Sequence, residues 1–147
     1  MEIINQIKER LSEVGLKATH PRIVILRELM ISNDHPTAES IHEIIKVDNP
    51  SISLGSVYRI LDVLVDSGLI QRVSVRSGSK RYDANMSPHG HFYCLQSNKI
   101  QDFYDEELYG LINDFFRKKR IKNFKIKEIK LQVNGERIDP EVDVTII

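Results

Sequence analysis

Three segments of this 147-residue chain carry side chains that can bind a metal ion through nitrogen or oxygen: His35, Asp83, His89, His91 and Asp102. Two of them, His89 and His91, stand two residues apart, and residues so spaced point to the same side of an extended strand. Three imidazoles and two carboxylates without a thiolate suit Fe(II) or Mn(II) at five or six coordination, and Zn(II) would also bind them in vitro. The residue types therefore predict a metal site that draws its ligands from separate parts of the chain.

Composition limits the kind of protein that could hold such a site. The hydrophobic fraction of 41% supports a real core, and 29% charged residues are typical of a soluble protein with one or two small domains. No apolar run approaches the ~20 residues of a membrane span, and the N-terminus is not typical of a signal peptide. We expect a cytoplasmic protein without a membrane partner.

Charge and cysteine content exclude further classes. A formal net charge of zero argues against a protein that coats nucleic acid without regard to sequence. The single cysteine, Cys94, excludes an internal disulfide and any multi-cysteine zinc site within one chain. We expect Cys94 to occupy a buried core position.

Apolar periodicity and capping residues predict four helices and a hairpin in the N-terminal half. The first helix covers 2–14, the second follows Thr19 and ends near 31, and the fourth follows Ser53 and covers 54–67. Thr37 caps the third, whose inner face holds Ala38, Ile41, Ile44 and Ile45. Strands over 69–75 and 80–84 complete a winged helix-turn-helix, in which the helix before the wing enters the major groove.

A second, smaller α/β unit is predicted after a short polar connector. Strands over 91–95 and 99–103 precede a helix over 106–119 and a strand over 124–133, and the last residues form a short strand or a tail. The helix is expected to point its apolar side inward: Leu108, Leu111, Ile112, Phe115 and Phe116. About sixty residues are too few to be stable alone, so we expect a second copy of the chain to cover this α/β unit of an α+β protein.

Eight motifs, in consistent order, resemble those of the ferric uptake regulator (Fur) family. They span about residues 10 to 133: Gly15-Leu16-Lys17-Ala18-Thr19, Pro21-Arg22, His35-Pro36-Thr37-Ala38, Ile52-Ser53-Leu54-Gly55-Ser56-Val57-Tyr58-Arg59-Ile60-Leu61, Gly68-Leu69-Ile70, Arg81-Tyr82-Asp83, His89-Gly90-His91 and Lys99-Ile100-Gln101-Asp102-Phe103. The block over 52–61, at the start of the predicted recognition helix, is specific.

The resemblance implies a homodimeric, metal-dependent transcriptional repressor and not an enzyme. It implies a winged-helix DNA-binding domain over 1–84, a hinge over 85–88, and a dimerisation and metal-sensing domain over 89–147, with one regulatory metal site per protomer. All five metal-binding residues match regulatory ligands of the family. Asp83 and Asp102 resemble the peroxide-sensing PerR branch, because iron-sensing members typically carry glutamate at both matching positions.

For that branch, the resemblance implies a particular chemistry at the metal. Fe(II) with an open coordination position reduces hydrogen peroxide, and a ligand histidine, His35 or His91, captures the oxidant as 2-oxo-histidine and releases DNA. Mn(II) resists this oxidation, so the manganese form is expected to stay bound to DNA.

The chain departs from the family at the structural zinc site. The first of two Cys-x-x-Cys pairs is here Cys94-Leu95-Gln96-Ser97, and the second is Asn134-Gly135-Glu136-Arg137. Four thiolates cannot be assembled, so we predict no structural zinc. The additional metal site of some Fur proteins is also expected to be absent, since its ligands are replaced by Pro88, Gly90 and Glu128.

Contacts to double-stranded DNA are expected from the recognition helix, the wing and the start of the second helix: Lys17, Arg22, Ser53, Ser56, Tyr58, Arg59 and Arg76. Arg59 suits guanine O6 and N7, and Tyr58 can pack on a thymine methyl group. Lys17 resembles the family's minor-groove lysine and Arg22 a phosphate contact. A two-fold dimer implies a palindromic operator, which we expect to be A/T-rich.

Three other functions remain open. A Fur-type iron or manganese co-repressor would sense metal concentration, and a winged-helix module with a decayed metal site would act without metal. Two histidines and one carboxylate also form the facial triad of non-heme iron oxygenases. Nothing in the sequence encodes the barrel that such enzymes need.

Overall fold

The computed structural model describes residues 2–32, 34–74, 78–86 and 89–147, without the side chain of Ser74. The predicted wing residue Arg76 and part of the predicted hairpin turn lie outside these ranges. The chain divides into two compact units, Met1–Met86 and Ser87–Ile147. Among the described residues, no helix combines the length and the apolar character that crossing a membrane requires.

Four helices and a hairpin build the first unit. The helices are α1 (Glu2–Glu13), α2 (His20–Ile31), α3 (Ala38–Ile45) and α4 (Leu54–Asp66). Strands β1 (Gln71–Ser74) and β2 (Lys80–Asp83) follow and pair antiparallel. The predicted winged helix-turn-helix order is confirmed, with α4 directly before the wing.

The predicted capping residues fix where these helices begin. Thr19, Thr37 and Ser53 each accept, through the side-chain oxygen, a hydrogen bond from the backbone N–H three residues later. After α4, Gly68 adopts a φ of 81°, and the Leu69 N–H donates to the Leu64 carbonyl at 3.0 Å. This turn folds Leu69 into the core, so β1 begins two residues later than predicted.

A continuous apolar core lies between the helices and the hairpin of the first unit. Tyr82 of β2 is 1% exposed and belongs to this core, so the wing is anchored to the helices. Most of the predicted inner positions are buried, but Ile44 is 55% exposed and that prediction was wrong. Ile44 lies at the margin of the stripe that Ala38, Ile41 and Ile45 form on α3.

A three-stranded sheet and one helix build the second unit. The elements are β3 (Gly90–Cys94), β4 (Ile100–Phe103), α5 (Glu106–Lys118) and β5 (Gln132–Gly135). The sheet order is β4-β3-β5, with β3 antiparallel to β4 and parallel to β5. The predicted hairpin and helix are confirmed, and the central strand β3 carries His91, with His89 directly before it.

The predicted strand over 124–133 was wrong in most of its length. Residues 124–131 have no strand assignment, and β5 covers only Gln132–Gly135. The apolar alternation slips by one residue between Ile126 and Ile129, so no single register can bury both ends of the segment. In the described chain, only the C-terminal part finds a neighbouring strand.

The predicted inward side of α5 was also wrong for the single chain. None of the residues that the structure describes in α5 is fully buried. Leu111 is 63% exposed, Phe115 54% and Phe116 36%. We call these three residues the apolar face of α5.

Candidate metal centre and nucleic-acid interface

In the first unit, the structure brings His35 and Asp83 together. Nε2 of His35 lies 3.5 Å from Oδ2 of Asp83, and both side chains are 6% exposed. The other carboxylate oxygen of Asp83, Oδ1, accepts a hydrogen bond from the backbone N–H of Asn85 at 2.9 Å. This bond fixes the rotation of the Asp83 carboxylate and so directs Oδ2 to the imidazole.

His35 occupies an unusual backbone conformation. Its φ is 51°, in the left-handed region, and Pro36 follows it. A non-glycine residue in this region costs about 1–3 kcal/mol and persists only where its surroundings hold it. The surroundings here are β2: the Tyr82 N–H donates to the Pro36 carbonyl at 3.1 Å, and Nη1 of Arg81 donates to the Asp34 carbonyl at 3.2 Å.

In the second unit, one carboxylate meets two imidazoles. Oδ1 of Asp102 lies 3.2 Å from Nε2 of His91 and 3.5 Å from Nε2 of His89. His91 and Asp102 are direct cross-strand partners on β3 and β4. The side chains of His89 and His91 are 3% and 10% exposed, against 34% for Asp102.

Gly90 separates the two histidines and allows this packing. A Cβ atom at position 90 would lie 2.6 Å from the Phe103 ring, closer than real Cβ contacts come. The Phe103 ring also packs against Phe92, with 4.4 Å between the ring centroids. A side chain at position 90 would therefore displace the Phe103 ring from its place beside β3.

The donor atoms within each unit fit a divalent metal ion. Two ligand atoms that each lie about 2.0–2.2 Å from one ion are about 3 Å apart when they subtend a right angle. The nitrogen–oxygen distances of 3.2–3.5 Å are close to that separation. Imidazole nitrogen and carboxylate oxygen are donors that Fe(II), Mn(II) and Zn(II) accept.

Cys94 is buried, as predicted, and carries no disulfide. A hydrogen bond from the Ser97 hydroxyl, helped by backbone N–H groups of Arg137 and Ser97, lowers the pKa of the Cys94 thiol to about 6. Ser97 stands where the second cysteine of the family's first pair is expected.

The predicted DNA-contacting residues that the structure describes all lie in the first unit. Arg76 is outside the described residues. Tyr58 on α4 is 38% exposed, and its hydroxyl donates to the carboxylate of Glu39 on α3. This bond lowers the pKa of Glu39 and raises the pKa of Tyr58. The phenol hydrogen is therefore already engaged, so the hydroxyl oxygen could meet a further partner only as an acceptor.

The other predicted contacts also interact with their neighbours. Nη2 of Arg59 donates to the Ser56 hydroxyl at 3.0 Å, and the Ser53 and Ser56 hydroxyls are 3.0 Å apart. Nη1 of Arg22 donates to the Lys17 carbonyl at 2.9 Å. These bonds set the starting orientation of the side chains that we predicted to meet DNA.

Three supporting residues lie outside the predicted set: Glu39, Arg81 and Asn85. The alternation of β2 places Arg81 on the same side as Asp83, which is a signal that the sequence contains. The contact between Glu39 and Tyr58 joins two helices, and no sequence spacing indicates it.

Comparison with known proteins adds a family and a fold. Residues 13–134 match the sequence model of the ferric uptake regulator family. The peroxide-responsive repressor PerR of Staphylococcus aureus is 32% identical over 126 residues, which are 85% of this chain and 82% of that protein. A ferric uptake regulator structure from Pseudomonas aeruginosa with manganese has a TM-score of 0.76 at 24% identity, covering 90% of this chain and 98% of that one. The peroxide stress regulator of Campylobacter jejuni has a TM-score of 0.71 at 24% identity, covering 95% and 99%.

Proposed function

Because this chain belongs to the ferric uptake regulator family, whose members are dimeric DNA-binding transcriptional regulators and not enzymes, we propose that it is a metal-dependent repressor that senses hydrogen peroxide. The observation that carries the proposal is the pair of aspartates: Asp83 beside His35, and Asp102 beside His89 and His91. The similarity to the Staphylococcus aureus peroxide-responsive repressor supports the same conclusion.

In the proposed regulatory site, the two donors of the first unit and the three of the second serve one ion per protomer. His35 and Asp83 are the ligands from the first unit, and His89, His91 and Asp102 those from the second. An ion that takes ligands from both units couples them, and it acts as a switch if it binds the DNA-competent state better than other states. The buried imidazoles keep their nitrogen donors away from water, and Asn85 holds the Asp83 carboxylate in place.

The ligand histidines are the proposed oxidation targets. Bound Fe(II) would supply the reduction of hydrogen peroxide, and bound Mn(II) would not. His35 or His91 receives one oxygen atom on a ring carbon and becomes 2-oxo-histidine, while the second oxygen of the peroxide leaves as water. A modified imidazole is a poorer ligand, so the site loses its hold on the metal and the protein its hold on DNA.

We further propose that the chain uses no structural zinc. Cys94 and Ser97 occupy the first ligand pair, and Asn134 and Arg137 the second, so one thiol remains where four would be needed. Zn(II) would bind the regulatory ligands in vitro.

The proposed partner is double-stranded DNA with a palindromic, A/T-rich operator, bound by a homodimer in the cytoplasm. The residues proposed to contact it are Lys17, Arg22, Ser53, Ser56, Tyr58, Arg59 and Arg76. Loss of the Arg59 contact to a base would cost roughly 1–3 kcal/mol of specific binding, whereas loss of a phosphate contact would weaken binding to all sequences alike.

A second candidate function is a Fur-type iron or manganese co-repressor that senses metal concentration. The same donor set favours it, because imidazoles and carboxylates without a thiolate bind Mn(II) whether or not peroxide is present. In this case the histidines would hold the ion and never be oxidised.

Peptide mass spectrometry separates the two functions. The full-length protein is loaded anaerobically with Fe(II) or Mn(II) and then given a low dose of hydrogen peroxide. A gain of one oxygen atom on the peptide of His35 or His91, in the iron sample only, is the expected result. His20 and His42, which are not proposed ligands, serve as internal controls. Bound iron without this gain would establish the metal-concentration sensor, and failure to bind either metal would contradict both.

A further inference from the structure

The loop that carries His35 lies along β2, the second strand of the wing. Thr37 forms an antiparallel bridge with Arg81, and the Tyr82 N–H donates to the Pro36 carbonyl at 3.1 Å. The loop between α2 and α3 therefore continues the hairpin for a short distance. His35 and Asp83 approach each other because their two segments are paired in this way.

Backbone pairing alone does not determine the conformation of His35. A residue before proline is normally driven to extended conformations, and a non-glycine residue rarely adopts a positive φ. His35 departs from both rules, because it precedes Pro36 and its φ is 51°. A further contact must hold the peptide group that precedes it.

Arg81 supplies that contact. The carbonyl of Asp34 belongs to the peptide unit between Asp34 and His35, and the orientation of this unit sets the φ of His35. Nη1 of Arg81 donates to this carbonyl at 3.2 Å. Because alternate residues of a strand share a side, Arg81 and Asp83 reach the loop from the same side of β2.

We propose that Arg81 is a positioning residue of the metal site: it holds the peptide before His35 in the left-handed conformation and so keeps the imidazole beside Asp83. Arg81 is not a ligand, because its guanidinium is a donor without a free electron pair at any accessible pH. The inference rests on the proposed function, since it assigns to Arg81 a role in the affinity of that site for metal.

The test measures metal affinity and loop stability separately in the full-length protein. Mn(II) is titrated calorimetrically into the wild type, Arg81→Met and Arg81→Lys, and Lys80→Met is the control, because it removes an equal charge from the neighbouring position of the same strand. Partners that orient a ligand typically contribute 10–100-fold to metal affinity, so Arg81→Met is expected to weaken Mn(II) binding about tenfold or more. Arg81→Lys retains a donor and should recover part of the loss, and Lys80→Met should match the wild type.

Hydrogen exchange of the metal-free protein tests the loop directly. The Tyr82 amide, whose partner is the Pro36 carbonyl, should exchange faster in Arg81→Met than in the wild type or Lys80→Met. Core amides of α4 should exchange at the wild-type rate, which shows that the variant is folded. Unchanged exchange at Tyr82, or faster exchange throughout the first unit, would overturn the proposal.

A double substitution shows whether Arg81 acts through His35. In a His35→Ala background, Arg81→Met should cause little further loss of Mn(II) affinity, because the ligand that it positions is gone. An equal loss in both backgrounds would contradict the proposed role of Arg81 but not the proposed regulatory site. A wild-type protein that binds neither Mn(II) nor Fe(II) would instead contradict the proposed function itself.

Discussion

The first unit encloses most of its apolar side chains in one core, whereas the second leaves the apolar face of α5 open. In the first, residues from all four helices, the hairpin and the intervening turns form one buried core. In the second, Tyr93, Cys94 and Ile100 of the sheet are buried, but the apolar face of α5 is exposed. A unit of this size that leaves such a face uncovered has not buried enough surface to be stable alone. The first unit therefore completes its core within one chain, and we expect a partner surface to cover the apolar face of α5 in the second.

Removing a core side chain from the first unit should have the largest effect. Leu61 of α4 is fully buried, and Leu61→Ala is expected to lower the free energy of unfolding by about 2–5 kcal/mol through lost burial and the cavity left behind. Denaturant titration followed by circular dichroism measures it, and the loss should not depend on protein concentration. A loss that grows on dilution would show that this core also depends on a partner.

Adding a charge to the open face should affect association and not the fold of one chain. Phe115→Glu is expected to cost roughly 2 kcal/mol or more of dimerisation free energy, as for a residue central to an interface. Sedimentation equilibrium measures the dimer dissociation constant. Asn113→Glu is the matched control, because it adds an equal charge to another exposed position of α5. Equal dimerisation of both variants would mean that another surface joins the protomers.

The stability of the second unit should depend on pH through the ionisation of the Cys94 thiol. Its folded-state pKa of about 6 lies below the ordinary value near 8.5, so the thiolate is more stable in the folded protein. This contribution to stability is fully present above about pH 8.5 and is lost as the pH falls through 6. Because the chain has one cysteine, thiolate absorbance at 240 nm reports on this group alone. In Ser97→Ala the pH midpoint of this absorbance change should rise. An unchanged midpoint would mean that Ser97 does not lower the pKa of Cys94.

The smallest expected effect lies on the surface of the first unit. Glu39 raises the pKa of Tyr58 by accepting its hydroxyl hydrogen, so Glu39→Gln should bring that pKa down towards its ordinary value. The difference in ultraviolet titration between each protein and its Tyr58→Phe counterpart isolates this one phenol. Glu43→Gln, on the same helix but bound to Lys46, should leave the titration unchanged. If both variants titrate like the wild type, the two helices are not joined through this bond.

The two units also differ in how far their sequences predict them. Thr19, Thr37 and Ser53 cap helices through bonds to residues three positions away. The sequence close to each cap is therefore enough to predict where these helices begin. The strand predicted over 124–133 and the burial of Phe115 depend on what lies opposite them, and spacing along the sequence does not specify that. Local alternation cannot reveal that a neighbouring strand is missing.

The candidate site shows the same division. The five proposed metal ligands could be recognised by type and order, and the His91–Asp102 contact follows from pairing two adjacent strands. The positive φ of His35 and the bond from Arg81 to the Asp34 carbonyl could not, because they arise where a loop meets a strand far away in sequence. Residue types indicated which atoms could hold a metal, and tertiary structure determines how they are oriented.

The parallel pairing of β3 with β5 has a consequence for the order in which the chain folds. It joins residue 91 to residue 132, so a long segment that includes α5 must be closed before the third strand can add to the sheet. Such distant contacts slow folding, because the entropy of closure is lost before the contacts form. The first unit needs mainly helices and a tight hairpin, and it leaves the ribosome first. We therefore expect each newly made molecule to pass through a stage with a finished N-terminal unit and an unfinished, aggregation-prone C-terminal one, in which chaperones would find their binding site.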